Sequence, residues 1–295
     1  MTESAAVFGK NNSLVGVITQ PDRDGLTEAV AVILLNSGLL HRVGPNRLYV
    51  SIARKMASCG CVAVRFDLSG IGDSRSRTDG LPYEEGAILD TQAVMDHLSS
   101  TQNIRKFVLS GICAGADNAY RIACKDKRVA GIVLIDSFAF TSYGYYLRSY
   151  VKTLRQARSW GRLLTGQSEL WSLVRAAITS MKTEDADDDF DEQWQMPPKG
   201  EIIENLQKYV GRGGKVSLIY TAGGPSYYNY RKMLQGALGN LFQRDTGNRV
   251  DVIDNTDHLF TPLFAQDLIV NLIYTWIESL FVVSEAPMQA IKDCD

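Results

Sequence analysis

The chain has 295 residues, 45% of them hydrophobic and 22% charged, with a formal net charge of −2. That balance describes an ordinary globular chain able to bury about three quarters of its unfolded surface. It excludes a global positive field that would draw the protein to nucleic acid or to an anionic membrane.

The N-terminal stretch MTESAAVFGKNN has neither the basic start nor the apolar core of a signal peptide. The early apolar runs SLVGVIT (13–19) and AVAVILLN (29–36) read as strands, and both are far too short to span a bilayer. A loop, NSGLLHRVGPNR, leads into RLYVSIARKMASCG (47–60), which has helical spacing and stops at Gly60. CVAVRFDL (61–68) is the next strand, followed by the polar loop SGIGDSRSRTDG. A helix around 86–100, a strand KFVLSG (106–111), a helix from 115 to about 125 and a strand AGIVLID (130–136) follow. Strands alternating with helical patterns predict an α/β protein with a mostly parallel sheet flanked by helices.

The rhythm breaks from 137 to 212. This range holds YGYYLRSYVKTLRQARSWGRLL (143–164), with its basic helical face, and the acidic run TEDADDDFDE (183–192). The acidic run has Phe190 where a calcium loop needs glycine, so it reads as a solvated loop. The pattern resumes with KVSLIYT (215–221), a helix near 228–239, RVDVID (249–254) and a long helix near 263–282. The expected domains are therefore a core of 1–136 and 213–295, with a helical cap, 137–212, inserted after the sixth strand.

Five cysteines, at 59, 61, 113, 124 and 294, show no disulfide or metal rhythm. Cys59 and Cys61 form a C-x-C beside a strand, with no second pair to complete a zinc site. A reducing cytoplasm, no metal and no organic cofactor are the expectations.

Cys113 sits in the turn Gly111-Ile112-Cys113-Ala114-Gly115, between a strand and a helix. Small residues there let a strand reverse sharply into a helix and display the central side chain at the helix N-terminus. The partial positive charge at that terminus favours an anion, and thiolate is the reactive form of cysteine. Acyl transfer also needs two N–H donors for the developing oxyanion. Ala114 would supply one, and Leu39, after Gly38, the other. His41 in the same loop is placed to contact substrate. Of the three histidines, His97 lies mid-helix as a surface or packing residue, and His258 follows the last strand in VIDNTDHLFTP.

Together these features resemble the α/β-hydrolase family, in which a serine usually occupies the place of Cys113. The loop SGIGDS (69–74), headed by Asp67, matches that family's Asp-x-x-Gly-x-Gly-x-Ser pattern. More narrowly, HRVGPNRLYVSIARKMASCGCVAVRFDLSGIGDS and TDHLF look like hydrolases of the serine-aminopeptidase branch, some of whose relatives accompany exosortase or exopolysaccharide gene sets. The resemblance implies that His258 is the catalytic base. It also implies an acid after the seventh strand, but no Asp or Glu lies between 216 and 244. Some relatives place the acid after the sixth strand, which makes Asp136 the leading candidate. Asp117 is second, Asp257 neighbours His258 too closely in sequence to orient it well, and a dyad with no acid stays open. A thiol tolerates a missing acid better than a serine does, because cysteine and histidine can share a proton before substrate arrives.

The expected function is acyl hydrolysis of an ester or thioester by Cys113, His258 and Asp136. Tyr227 and Tyr228 would line the acyl pocket. The substrate is a small acyl compound, free or carried on a carrier protein, and a homodimer is compatible with the chain. Two alternatives stand beside it: acyl transfer to an amine or alcohol, and a non-catalytic, ligand-binding relative of the hydrolases.

Overall fold

The computed structural model describes residues 1–22, 30–138, 197–223, 238–242 and 246–281. Tyr227, Tyr228, Cys294, the basic helical stretch, the acidic run and most of the helix expected near 228–239 lie outside the described residues, as does 139–196 of the expected cap.

Eight strands form one sheet: β1 (Thr2–Phe8), β2 (Leu14–Gln20), β3 (Val30–Leu35), β4 (Val62–Phe66), β5 (Lys106–Ile112), β6 (Val129–Ile135), β7 (Lys215–Gly223) and β8 (Arg249–Asp257). Their order is β1-β2-β4-β3-β5-β6-β7-β8. β1 pairs antiparallel with β2, and β2 antiparallel with β4; every other pairing is parallel. The α/β expectation holds. β1 has no counterpart among the expected strands, because six of its seven residues are not buried and only Phe8 enters the core. An exposed edge strand leaves no alternation of apolar residues to read.

The fully described α-helices are α1 (Leu48–Ser58), α2 (Tyr83–Gln102), α3 (Ala114–Lys125), α4 (Lys199–Gly211) and α5 (Leu263–Phe281). Successive side chains of a strand point to opposite faces of the sheet. Ile33 and Leu35 of β3 accordingly join one buried cluster, with Met95 and Leu98 of α2, Ala119 and Ile122 of α3, and Leu206 of α4. Val32 and Leu34 join the other, with Ile52 and Met56 of α1 and Ile269, Ile273 and Trp276 of α5. Each fully buried aliphatic side chain contributes about 1.5–3 kcal/mol. α4 falls inside the range expected for the cap, yet its Ile202, Leu206 and Tyr209 are buried in the sheet's own core.

The parallel pairing brings the C-terminal ends of β3 to β8 to one end of the sheet. The side chains of the candidate site lie at those strand ends and in the loops and helix starts that follow them.

Candidate functional site

The turn after β5 is built by two close approaches. A Cβ on Gly111 would lie 2.3 Å from the carbonyl carbon of Gly115, and one on Gly115 would lie 2.6 Å from the backbone oxygens of Leu35 and Asn36. Only glycine lets β5, the first turn of α3 and the end of β3 meet so tightly. Between them Cys113 adopts φ 53°, ψ −120°, a sparsely populated conformation for a residue with a side chain. Holding it costs about 1–3 kcal/mol, drawn from the surrounding packing. The backbone there is over-determined: Cys113 N donates to Ile135 O at 2.9 Å, and Cys113 O accepts from Ala116 N at 2.8 Å and Asp117 N at 3.1 Å. Beneath the turn, the Ile112 N–H donates to the buried Tyr49 hydroxyl at 3.1 Å. The Cys113 thiol is half-buried.

His258 follows β8 and turns its ring between Cys113 and Asp136. Nδ1 lies 2.8 Å from Asp136 Oδ2 and donates to it, while the Cys113 side chain is within hydrogen-bonding reach of the imidazole. The Asp136 hydrogen bond, then that of Cys113, raises the imidazole from 6.5 to about 10 against the opposing effect of burial. At neutral pH the ring therefore holds its second proton.

Asp136 is itself fixed. It is buried, has φ 47°, and its N–H donates to Ile219 O at 2.9 Å. Its carboxylate accepts the Thr221 N–H and the Thr221 hydroxyl, both at 2.7 Å. Thr221 thus stands near the end of β7, where the family resemblance leads one to seek the acid, and donates twice to the acid held by the neighbouring strand. The β6–β7 ladder ends at Ile135 and Ile219, and Thr221 meets Asp136 just beyond it, a contact that residue type alone does not signal.

The other two acid candidates are engaged elsewhere. Asp117 accepts from the Ser137 hydroxyl at 2.8 Å. Asp257 accepts the N–H groups of Leu259 at 3.1 Å and Thr261 at 2.9 Å, closing the turn that leads into α5. His97 packs edge-on against Phe8 at 5.1 Å.

The loop after β3 is pinned by Asp67. This buried carboxylate accepts from Asn36 Nδ2 at 3.1 Å, Arg42 N at 2.7 Å and Asp73 N at 3.2 Å, and it pairs with the Arg42 guanidinium. Asn36 also reaches Leu40 O at 2.8 Å and accepts from Leu68 N at 2.8 Å. The Asp-x-x-Gly-x-Gly-x-Ser loop is thereby tied to the loop carrying Leu39. Gly72 is required because a Cβ there would lie 2.3 Å from Asp67 Oδ2. Sequence reading missed Asn36 and Arg42, whose role depends on a contact across two loops.

Leu39 exposes 87% of its surface, so its amide rather than its side chain is what it can offer the site. Gly38 has φ 56° and open space where a Cβ would stand; its glycine serves the turn. Ala114 is the first residue of α3, where N–H groups have no intrahelical acceptor. His41 directs Nε2 to 3.6 Å from both Asp67 and Asp73. These three side chains could offer ligand atoms to a cation, but Arg42 already bridges the two carboxylates and supplies a positive charge.

No protein-family model matches the chain, and no curated protein matches it. Among solved structures it is similar to XC6422 from Xanthomonas campestris, described as an α/β serine hydrolase without lid, at 13% identity and TM-score 0.56 over 96% of both chains. It is similar to dienelactone hydrolase from Anabaena variabilis at 14% identity and TM-score 0.56, over 96% of this chain and 99% of that one. A third likeness is to the esterase domain of a Rhodothermus marinus protein, at 13% identity and TM-score 0.54, over 96% of this chain and all of that one. At these identities the likeness is one of architecture, and with the sheet order and flanking helices it establishes that the chain has the α/β-hydrolase fold.

Proposed function

We propose that the chain is a cysteine-nucleophile acyl hydrolase that cleaves an ester or thioester through an acyl-enzyme intermediate. One observation carries the reading: a cysteine strained at φ 53° at the start of a helix reaches an imidazole that a buried carboxylate grips at 2.8 Å.

The chemistry follows from those positions. The proton that the Cys113 thiol shares with His258 already rests on the imidazole, and the Cys113 sulfur attacks the carbonyl carbon. The displaced π electrons become an oxyanion facing the amides of Ala114 and Leu39, where each donor is worth on the order of 3 kcal/mol in the transition state. Collapse forms the thioester to Cys113 and expels the alcohol or thiol, which takes the proton from His258. Acylation also removes the sulfur partner that helps hold the imidazole's proton, so the ring can next accept one from water. Hydroxide attacks the acyl carbon, the acid leaves, and Cys113 is restored. Asp136 keeps Nδ1–H directed and its opposite nitrogen towards the sulfur.

The similar structures named an esterase, a dienelactone hydrolase and a serine hydrolase support this reading by analogy of fold. The likeness to serine-aminopeptidase-type hydrolases bears on ancestry, not on substrate. The test is turnover of a panel of acyl esters and acyl thioesters by wild type and Cys113→Ala, with and without added amine or alcohol. Hydrolysis that Cys113→Ala abolishes supports the proposal. Turnover only with an acceptor would make the chain an acyltransferase, and turnover retained by Cys113→Ala would overturn the assignment.

A further inference from the structure

We propose that Cys59 and Cys61 form a reversible dithiol–disulfide centre, oxidised by hydrogen peroxide or an organic hydroperoxide, at the opposite end of the sheet from Cys113.

The sequence Cys59-Gly60-Cys61 closes α1. Gly60 N donates to Ala57 O at 3.1 Å, and Cys61 N reaches back to Met56 O at 3.1 Å. Those two bonds define a Schellman cap, which needs a left-handed residue between them; Gly60 has φ 88°. The cap requires glycine at 60 but no sulfur on either side. Its geometry folds residues 59 and 61 towards each other, and their Sγ atoms lie 3.7 Å apart. A disulfide needs about 2.05 Å, an approach made within a turn whose central residue is the most permissive one.

The two thiols are unequal. Cys59 is half-buried and Cys61 is fully buried. The neighbouring Cys61 thiol holds Cys59 below the ordinary cysteine range by hydrogen bonding. Cys61 is pushed up, first by its bond to Cys59 and then by burial. Cys59 is the more readily ionised of the two thiols and the one that a solvent-borne oxidant can reach.

The chemistry balances in two steps. The Cys59 thiolate attacks one oxygen of the hydroperoxide; the O–O bond breaks, an S–O bond forms, and hydroxide or alkoxide leaves and takes a proton from solvent. Sulfur loses two electrons and the peroxide gains them. Cys61 then attacks the Cys59 sulfur, the S–O bond breaks, and water departs carrying the Cys61 proton. Once Cys59 is a neutral sulfenic acid, its charge no longer opposes ionisation of Cys61. The oxidant never has to enter the core.

The test uses the full-length wild-type chain, treated with hydrogen peroxide at neutral pH, blocked with iodoacetamide and digested with trypsin. Cleavage after Lys55 and Arg65 gives the peptide MASCGCVAVR, which holds Cys59 and Cys61 and no other cysteine. We expect it to lose two hydrogen masses, to resist alkylation, and to regain both alkylation sites after dithiothreitol. In Cys61→Ser the same treatment should leave a Cys59 sulfenic acid that dimedone traps; in Cys59→Ser, Cys61 should stay a thiol. Three results in the wild type would overturn the proposal: sulfinic acid on Cys59 with Cys61 still alkylatable, a bridge from either residue to another cysteine, or a 56–65 peptide still fully alkylatable when Cys113 has been oxidised.

Discussion

Cys113 and Cys59 both cap a helix, at opposite ends of the sheet and with opposite polarity. Cys113 stands at the start of α3, where the helix dipole presents partial positive charge, in a strained conformation at φ 53° with an imidazole beside its sulfur. Cys59 stands at the end of α1, where the dipole presents partial negative charge, relaxed at φ −99° with a second thiol beside its sulfur. The same side chain is thus offered two different reactions by what the backbone brings next to it. In the proposed function, an imidazole and an orphan N–H group suit acyl transfer; a neighbouring sulfur suits electron exchange.

The sharpest way to break the comparison is to delete each sulfur. Cys113→Ala should lower ester or thioester turnover by at least about a thousandfold, whereas Cys59→Ala should leave turnover unchanged. Equal losses, measured as kcat/KM on one substrate, would show that the two sites are not separate. Next in size is His258→Ala. Removing the base should slow iodoacetamide alkylation of Cys113 by about a hundredfold at pH 7 without altering the rate at Cys59, read by peptide mass.

Asp136→Asn should cost about tenfold to a hundredfold in kcat, less than in a serine enzyme because the thiol needs its base oriented less strictly. The pH profile gives the same comparison a sign. His258 is raised from 6.5 to about 10, so its protonated, paired form should stabilise the folded chain fully below pH 6.5. That contribution should fade as pH rises through about 10. Thermal melting should accordingly fall between pH 7 and 10 more steeply in wild type than in His258→Gln. In Asp136→Asn the alkaline limb of activity should shift down towards neutrality. The smallest effect belongs to Thr221→Val. Losing one hydroxyl bond to a buried carboxylate should cost about 2 kcal/mol of stability and change kcat by less than about tenfold, as followed by denaturant melts and steady-state rates.

Much of this was legible in the residues. Runs such as AVAVILLN and AGIVLID are continuous apolar segments because parallel strands are covered on both faces, and they announce themselves. The glycines of GICAG marked the turn, since close packing leaves no other residue type. β1 was not legible, because an edge strand with one buried residue has no pattern to detect. The partnership of Asp136 with His258 could be named only from a family habit. Its physical cause, Thr221 donating twice from the next strand, depends on the register of β6 against β7. The meeting of the two sulfurs of CGC was equally hidden. The sequence shows their spacing, but the Schellman cap decides that they face each other.

If Cys113 carries the acyl group, as proposed, the acyl-enzyme can be trapped on it. An acyl thioester would be mixed with the full-length protein, quenched in acid within the first turnover, digested and mapped by mass. One acyl mass per chain is expected on the peptide containing Cys113, formed at the rate of thiol release and absent in Cys113→Ala. Turnover with no adduct at Cys113, or with the acyl group on another residue, would contradict it.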